Sequence, residues 1–314
     1  MIQLTILFLL SSVALLALIA WTMNRFAPLT AAKFLRTRMR KKAGLVERCL
    51  DAKGQTFPYL TGGSGPPLLL LHGFTANKDN FNALSRYLTP HYTVYAPDWP
   101  GFGDSSRNPS ADYSADAQVE HLHAFVNALG IQKIHLIGSS LGGTFAALFT
   151  AKYTDSVASL CLLCAAGTRE NKDSVLMQEF RRTRIFPHLI KNPKDHWKKW
   201  SALFATPMRI PYCVDYAMGV AAAHDYELHK SILVTLADEP SLEARCSVLP
   251  TPALIIAGEK DVIIPAQSVH SLAKIFPNSV IKIMANVGHL PMVEVPHQTA
   301  REYLAFRGNL PGFD

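Results

Sequence analysis

Ile134-His-Leu-Ile-Gly-Ser-Ser-Leu-Gly-Gly143 is a short apolar run that ends in two serines set among three glycines. Ile134 to Ile137 reads as a buried strand, and Thr144 to Tyr153, nearly all apolar, as a helix. The turn between them carries G-x-S-x-G, with Ser140 at its centre. A strand, a sharp turn and a helix hold the central serine in a strained backbone conformation and lift its hydroxyl above the sheet. A Cβ two residues to either side would collide with the turn, which suits Gly138 and Gly142, and Gly143 leaves room for close packing. Free N–H groups at the start of the following helix favour an anion. The stretch therefore offers a nucleophile, Ser140, and one oxyanion donor, the N–H of Leu141.

The flanking sequence alternates strand and helix. Upstream, Cys49 to Leu60 predicts one or two leading strands, and Leu68–Leu71 a buried strand running into His72-Gly-Phe74. Asn77 can cap a helix to about Leu88, and Tyr92–Ala96 is a strand ending in Asp98-Trp-Pro-Gly-Phe-Gly-Asp-Ser105. A helix over Asp112–Leu129, stopped by Gly130, leads to the central strand. Downstream come a strand Val157–Ala166, a strand Ala253–Ala257 ending in Gly258-Glu-Lys-Asp261, and a helix Pro265–Phe276. A strand Val280–Met284 then leads to Asn286-Val-Gly-His289, and Pro296 to about Phe306 is a closing helix. Such alternation predicts an α/β fold with a mostly parallel, doubly wound sheet. Residues 168–247 show helical periodicity, several prolines and no clear strand, and are expected to form a helical cap inserted between core segments 49–167 and 248–314.

Acyl transfer needs a nucleophile, a base, a group that orients the base, and donors for the oxyanion. Asp261 and His289 each stand just beyond a strand's C-terminal end, where loops share an edge with the turn at Ser140. The order Ser140, Asp261, His289 is the one expected for this architecture. The second oxyanion donor is expected at the N–H of Phe74. Asp173 is a rival acid, and Asp98 is read as structural within its Gly-rich loop. His72 is expected to brace its own loop. His121 and His123 lie two apart on a helix, so they share no face and make a poor metal pair. Cys161-x-x-Cys164 lies in an apolar run without a second pair, and both cysteines are read as buried strand residues. No metal and no cofactor is expected.

The chain has 314 residues, 49% of them hydrophobic, enough for one α/β domain with an insertion or for two small domains. Its charged content of 18% is low and points to a membrane segment. Residues 1–24 carry no charged side chain, and the run to Trp21 approaches the roughly 20 residues that cross a bilayer as a helix. An anchor is favoured over a cleaved signal, because no Lys or Arg precedes the run and no small-x-small site follows closely. Residues 25–48 hold eight basic side chains and one acid; removing them from the 31 basic and 24 acidic residues of the chain leaves 23 of each. The basicity is thus local, which excludes a nucleic-acid surface spread over the fold. It places the catalytic domain in the cytoplasm by the positive-inside rule, with export after signal cleavage as the alternative. Arg36-Thr-Arg-Met-Arg-Lys-Lys42 also suits anionic lipid headgroups.

From about Phe57 to Phe306 these motifs resemble the α/β-hydrolase fold superfamily. The resemblance is carried by His72-Gly73-Phe74, Asp98-x-x-Gly101-x-Gly103-x-Ser105, Gly138-x-Ser140-x-Gly142-Gly143, Gly258-x-x-Asp261-x-x-x-Pro265 and Gly288-His289. Within it the chain is similar to membrane-anchored monoacylglycerol lipases and to cold-adapted bacterial lipases. The resemblance implies hydrolysis of carboxylic esters, with mono- or triacylglycerols as substrates. The simple His-Gly-Phe loop resembles the type found with medium and long acyl chains. Cap residues such as Met177, Phe186, Trp200 and Leu203, interleaved with Arg181, Arg182 and Lys198, suit a lid that touches a bilayer and lines an acyl tunnel. A soluble-substrate hydrolase of C–C bonds or thioesters, and a non-catalytic scaffold, are the alternatives.

Overall fold

Eight strands form a single sheet in the order β1-β2-β4-β3-β5-β6-β7-β8. The computed structural model describes residues 2–310. The strands are β1 (Val46–Ala52), β2 (Gln55–Gly62), β3 (Pro67–Leu71), β4 (Thr93–Pro97), β5 (Ile134–Ser139), β6 (Val157–Leu163), β7 (Ala253–Gly258) and β8 (Ser279–Met284). The pairs β1–β2 and β2–β4 are antiparallel, and every pairing from β4 through β3 to β8 is parallel. This is the mixed sheet that the alternation predicts.

The central strands are apolar on both faces because both faces are covered. Leu69 and Leu71 of β3, Leu136 of β5 and Leu162 of β6 pack with α4 (Ala115–Ala128) and α5 (Leu141–Lys152). Their neighbours Leu68, Leu70, Ile137 and Leu163 point the other way, toward α3 (Asn82–Leu88) and the C-terminal α14 (Pro296–Gly308). The period of two along each strand thus feeds two separate cores.

Between β6 and β7 the chain leaves the sheet for α6 (Arg169–Lys172), α7 (Val175–Thr183), α8 (His196–Ser201), α9 (Tyr212–His224), α10 (Tyr226–Asp238) and α11 (Leu242–Arg245). A separate small apolar cluster of Met177, Phe180, Leu189, Leu233 and Ala237 holds α7 and α10 together. Two ion pairs fasten this segment to the sheet-bearing part. Arg107 reaches Asp225 with Nε at 2.9 Å, and Arg245 bonds both Glu239 and Asp116. After β7, α12 (Ser268–Ile275) packs under the sheet, and α13 (Pro291–Glu294) follows β8.

Helix boundaries shift where local hydrogen bonds compete. The α4 helix begins at Ala115 because the Ser114 hydroxyl caps Ala117 N. Pro265 to Gln267 is a turn, since Ser268 N donates to the Pro265 carbonyl. Asn77 caps as expected, but through Asp79 N onto a short 3₁₀ turn that precedes α3.

The N-terminal α1 (Ile2–Phe26) is followed, after Ala27, by α2 (Pro28–Lys42), which has Pro28 in its first turn. Thr5–Phe26 is apolar, with a mean hydropathy of 2.4, and its apolar window is not buried in the rest of the protein. The end of α1 nevertheless touches the segment above the sheet: Asn24 Oδ1 accepts Cys213 N at the start of α9, and Arg25 lies over the Tyr212 ring. The basic run on α2 is less free than its sequence implies. Arg40 is buried and held by Asp79 at 2.6 and 2.7 Å and by Glu47 at 2.8 Å.

Candidate active site

Ser140 stands between β5 and α5 with φ 53° and ψ −121°, a left-handed conformation that an L-residue adopts only under constraint. The surrounding hydrogen bonds supply that constraint. Ser140 N donates to the Leu163 carbonyl, and the Ser140 carbonyl accepts from Gly143 N and Ala166 N. A Cβ at Gly138 would strike the Gly142 carbonyl, and one at Gly142 the carbonyl of Leu71. The two glycines of the motif are therefore required by backbone contact. Ser139 turns to the opposite side, its hydroxyl on Met292 Sδ.

His289 Nε2 lies 3.0 Å from Ser140 Oγ, and His289 Nδ1 lies 2.8 Å from Asp261 Oδ2. The other oxygen of Asp261 accepts from the N–H groups of Ile263 and Ile264. Burial pushes the Asp261 pKa up, but the His289 ring and those N–H donors outweigh it, and the carboxyl stays below its ordinary range. The imidazole loop is fixed from two sides: His289 N donates to the Leu203 carbonyl of the helical segment at 2.7 Å, and Glu294 at the end of α13 accepts Gly288 N. Asp173, the rival acid, is exposed at the C-terminal end of α6.

Phe74 follows Gly73, and Leu141 follows Ser140 as the first residue of α5. Gly73 packs so closely that a Cβ would lie 3.0 Å from Ser140 Cβ. Among the described residues the N–H of neither Phe74 nor Leu141 donates to a backbone carbonyl. His72 braces this loop through Nδ1, which donates to the Gly73 carbonyl at 2.9 Å. Burial lowers its pKa to about 3, so the ring is neutral. Asp98 is structural, as expected. It is buried and accepts Lys78 N, Lys78 Nζ and Asp104 N, and Lys78 is itself almost fully buried among Asp98, Asp104 and Glu47.

Two neighbours of the site, Cys164 and His188, carry no sequence signal that marks them out, and Leu203, read as part of an acyl-lining cap, takes a further role. Cys161 lies in β6 as read, but Cys164 is one residue beyond the strand, at φ 46°. Its sulfur sits 3.8 Å from the Gly288 carbonyl, in a cluster with the Asp261 carboxylate and the His289 ring. Leu203 closes the loop of His289 from α8's C-terminal side, and His188 enters the same cavity as Ser140. Only the chain's path between β6 and β7 brings them there. That cavity is walled by Phe74, Leu148, Met177, Phe186, Leu203, Leu233 and Ile264, with Lys172, Glu239 and Arg245 also on its lining. It can hold an extended apolar chain against the Ser140 hydroxyl.

The chain belongs to the α/β hydrolase fold family, whose model matches residues 66–296. It is a serine ester hydrolase of that family. It is 33% identical to Lipase 1 of Psychrobacter immobilis over 91% of this chain and 92% of that protein. It is 27% identical to a monoacylglycerol lipase of Homo sapiens over 80% of this chain and 78% of the relative. Its structure superposes on that of a membrane phospholipase A, a bacterial virulence factor, with a TM-score of 0.86 and 35% identity, covering 96% and 97% of the two chains.

Proposed function

We propose that the chain is a membrane-anchored lipase that hydrolyses acylglycerols through an acyl-enzyme on Ser140. The observation that carries this reading is the hydrogen-bonded series from Ser140 Oγ to His289 Nε2 and from His289 Nδ1 to Asp261, opening on an apolar cavity. Ser140 Oγ attacks the ester carbonyl as His289 takes its proton. The oxyanion accepts from the N–H groups of Phe74 and Leu141. As the acyl–oxygen bond breaks, His289 returns the proton to the leaving alcohol. Water then attacks the acyl-enzyme, losing its proton to His289, which passes it to Ser140 Oγ as the acyl–Oγ bond breaks and the fatty acid is released. Asp261 holds the tautomer of His289 and stabilises the imidazolium. No cofactor or metal enters these steps.

Residues 168–247 act in this reading as the cap that shapes the acyl site, over a core of 49–167 and 248–314. The identity with bacterial lipases supports acylglycerols, and the 35% identity with a membrane phospholipase A supports glycerophospholipids as a second ester class for the same site. The α1 helix acts as a retained anchor (residues 1–24), and residues 25–48 as a basic segment at an anionic, cytoplasmic membrane surface. The hydrogen bond from Cys213 N to Asn24 Oδ1 supports retention, because signal cleavage after Asn24 would remove the acceptor at the start of α9. The test is hydrolysis of a panel of mono- and triacylglycerols, diacyl phospholipid vesicles, and a soluble thioester and diketone. Acyl release from glycerides, lost in Ser140→Ala, is expected; turnover of the soluble substrates alone would refute the reading.

A further inference from the structure

His188 lies on the loop between α7 and α8 and lines the cavity together with Ser140, His289, Phe74 and Phe186. Its neighbours fix its protonation. Nδ1 is 3.3 Å from the Lys199 carbonyl, and a carbonyl only accepts, so Nδ1 carries the proton. Nε2 is therefore a lone-pair acceptor. The Lys199 ammonium in turn donates to the Leu189 carbonyl at 2.7 Å, so the loop and α8 are joined by two bonds and the ring is held in place. Burial lowers the pKa of His188 from its ordinary value, more than the hydrogen bond to the Lys199 carbonyl raises it. The shift favours the neutral ring with its Nε2 lone pair.

Several other polar groups on this lining already have partners. Asn171 Oδ1 accepts Gly167 N, Lys172 Nζ donates to the Leu236 and Ala237 carbonyls, and Arg245 is paired with Glu239 and Asp116. His289 Nε2 is engaged with Ser140. A neutral imidazole acceptor on a mainly apolar wall has use only for a ligand that donates. An alkyl ester or a triacylglycerol has no O–H to offer. A partially acylated glycerol carries a hydroxyl beside the ester that is cut.

We infer that His188 is a specificity-determining residue whose Nε2 accepts a hydrogen bond from the free hydroxyl next to the scissile ester, so that the site prefers partially acylated glycerols. The inference rests on the lipase reading above. His188 takes no proton in the reaction: His289 returns the Ser140 proton to the leaving oxygen, while His188 orients the alcohol that leaves.

The experiment compares kcat/KM on 1-monooleoylglycerol with that on methyl oleate, using the full chain in detergent micelles. Active sites are counted by fluorophosphonate titration. The His188→Phe variant keeps a ring without a nitrogen, and the monooleoylglycerol-to-methyl oleate ratio should fall about five- to tenfold, the worth of one hydrogen bond of this kind. His188→Gln, whose amide oxygen accepts, should restore most of the ratio. An unchanged ratio in His188→Phe with active sites intact would overturn the inference and leave the lipase reading standing. If His188→Phe loses its active sites, the ratio in His188→Gln against His188→Leu decides by the same criterion. A wild-type chain that cleaves neither ester would refute both readings.

Discussion

Asp261 and Asp173 both follow strands in the sequence, and only hydrogen-bond geometry separates them. The Asp261 carboxylate is 2.8 Å from His289 Nδ1, whereas Asp173 is exposed on α6. Asp261→Asn should therefore cut kcat by about 10³–10⁴, through the wrong imidazole tautomer. Asp173→Asn should retain turnover; steady-state kinetics on one ester decides between them. Lys78 is a second residue whose importance lies in burial. Its ammonium neutralises Asp98, which also anchors the Gly-rich loop through Asp104 N. Lys78→Met leaves that carboxylate buried and unpaired, and should cost about 3–5 kcal/mol in denaturant unfolding. A loss under 1 kcal/mol would contradict this account of the loop.

At the scale of elements, the sharp turn at Ser140 was legible because glycines at fixed offsets mark where the backbone is approached closely. The strands β3, β5, β6 and β7 were legible because their apolar runs are fully buried. What escaped was long-range. Cys164 reads as one more strand residue, yet a left-handed φ places its sulfur beside the triad. His188 is one of 12 histidines, and nothing in its neighbours marks it before the helical segment is folded over Ser140. Arg40 reads as part of a basic run, while its ion pairs lie 7 and 39 residues away. The fastening of the helical segment was equally hidden. Arg107→Ala removes the bond to Asp225 and should cost about 1–3 kcal/mol. It should also admit limited proteolysis within residues 168–247, read by mass spectrometry; unchanged protease resistance would count against a clasp there.

For the whole molecule, pH acts through buried imidazoles. Burial lowers the pKa of His135 on β5 from 6.5 to about 4, and that of His72 to about 3. The unfolded chain takes up a proton at each of them near pH 6.5, and the folded chain does not. Their contribution to stability is therefore fully present above pH 6.5. It is lost progressively as pH falls through the range down to about 4 for His135 and about 3 for His72. Unfolding free energies measured by urea from pH 8 to pH 4.5 should decline below about pH 6.5, and His135→Gln should flatten part of that slope. A slope identical in the variant would remove His135 from the account. The proposed anchor gives the molecule its placement: deleting residues 1–24 should move the chain from the membrane to the soluble fraction, and retention of the truncated chain would assign binding to the remaining surface.

The central claim, that Ser140 is the acylated nucleophile, is tested most directly by a fluorophosphonate probe followed by peptide mapping. One adduct on Ser140 is predicted, absent in Ser140→Ala and kept in Ser139→Ala, whose hydroxyl faces Met292. An unlabelled but folded wild-type chain, or an adduct that survives in Ser140→Ala, would contradict it.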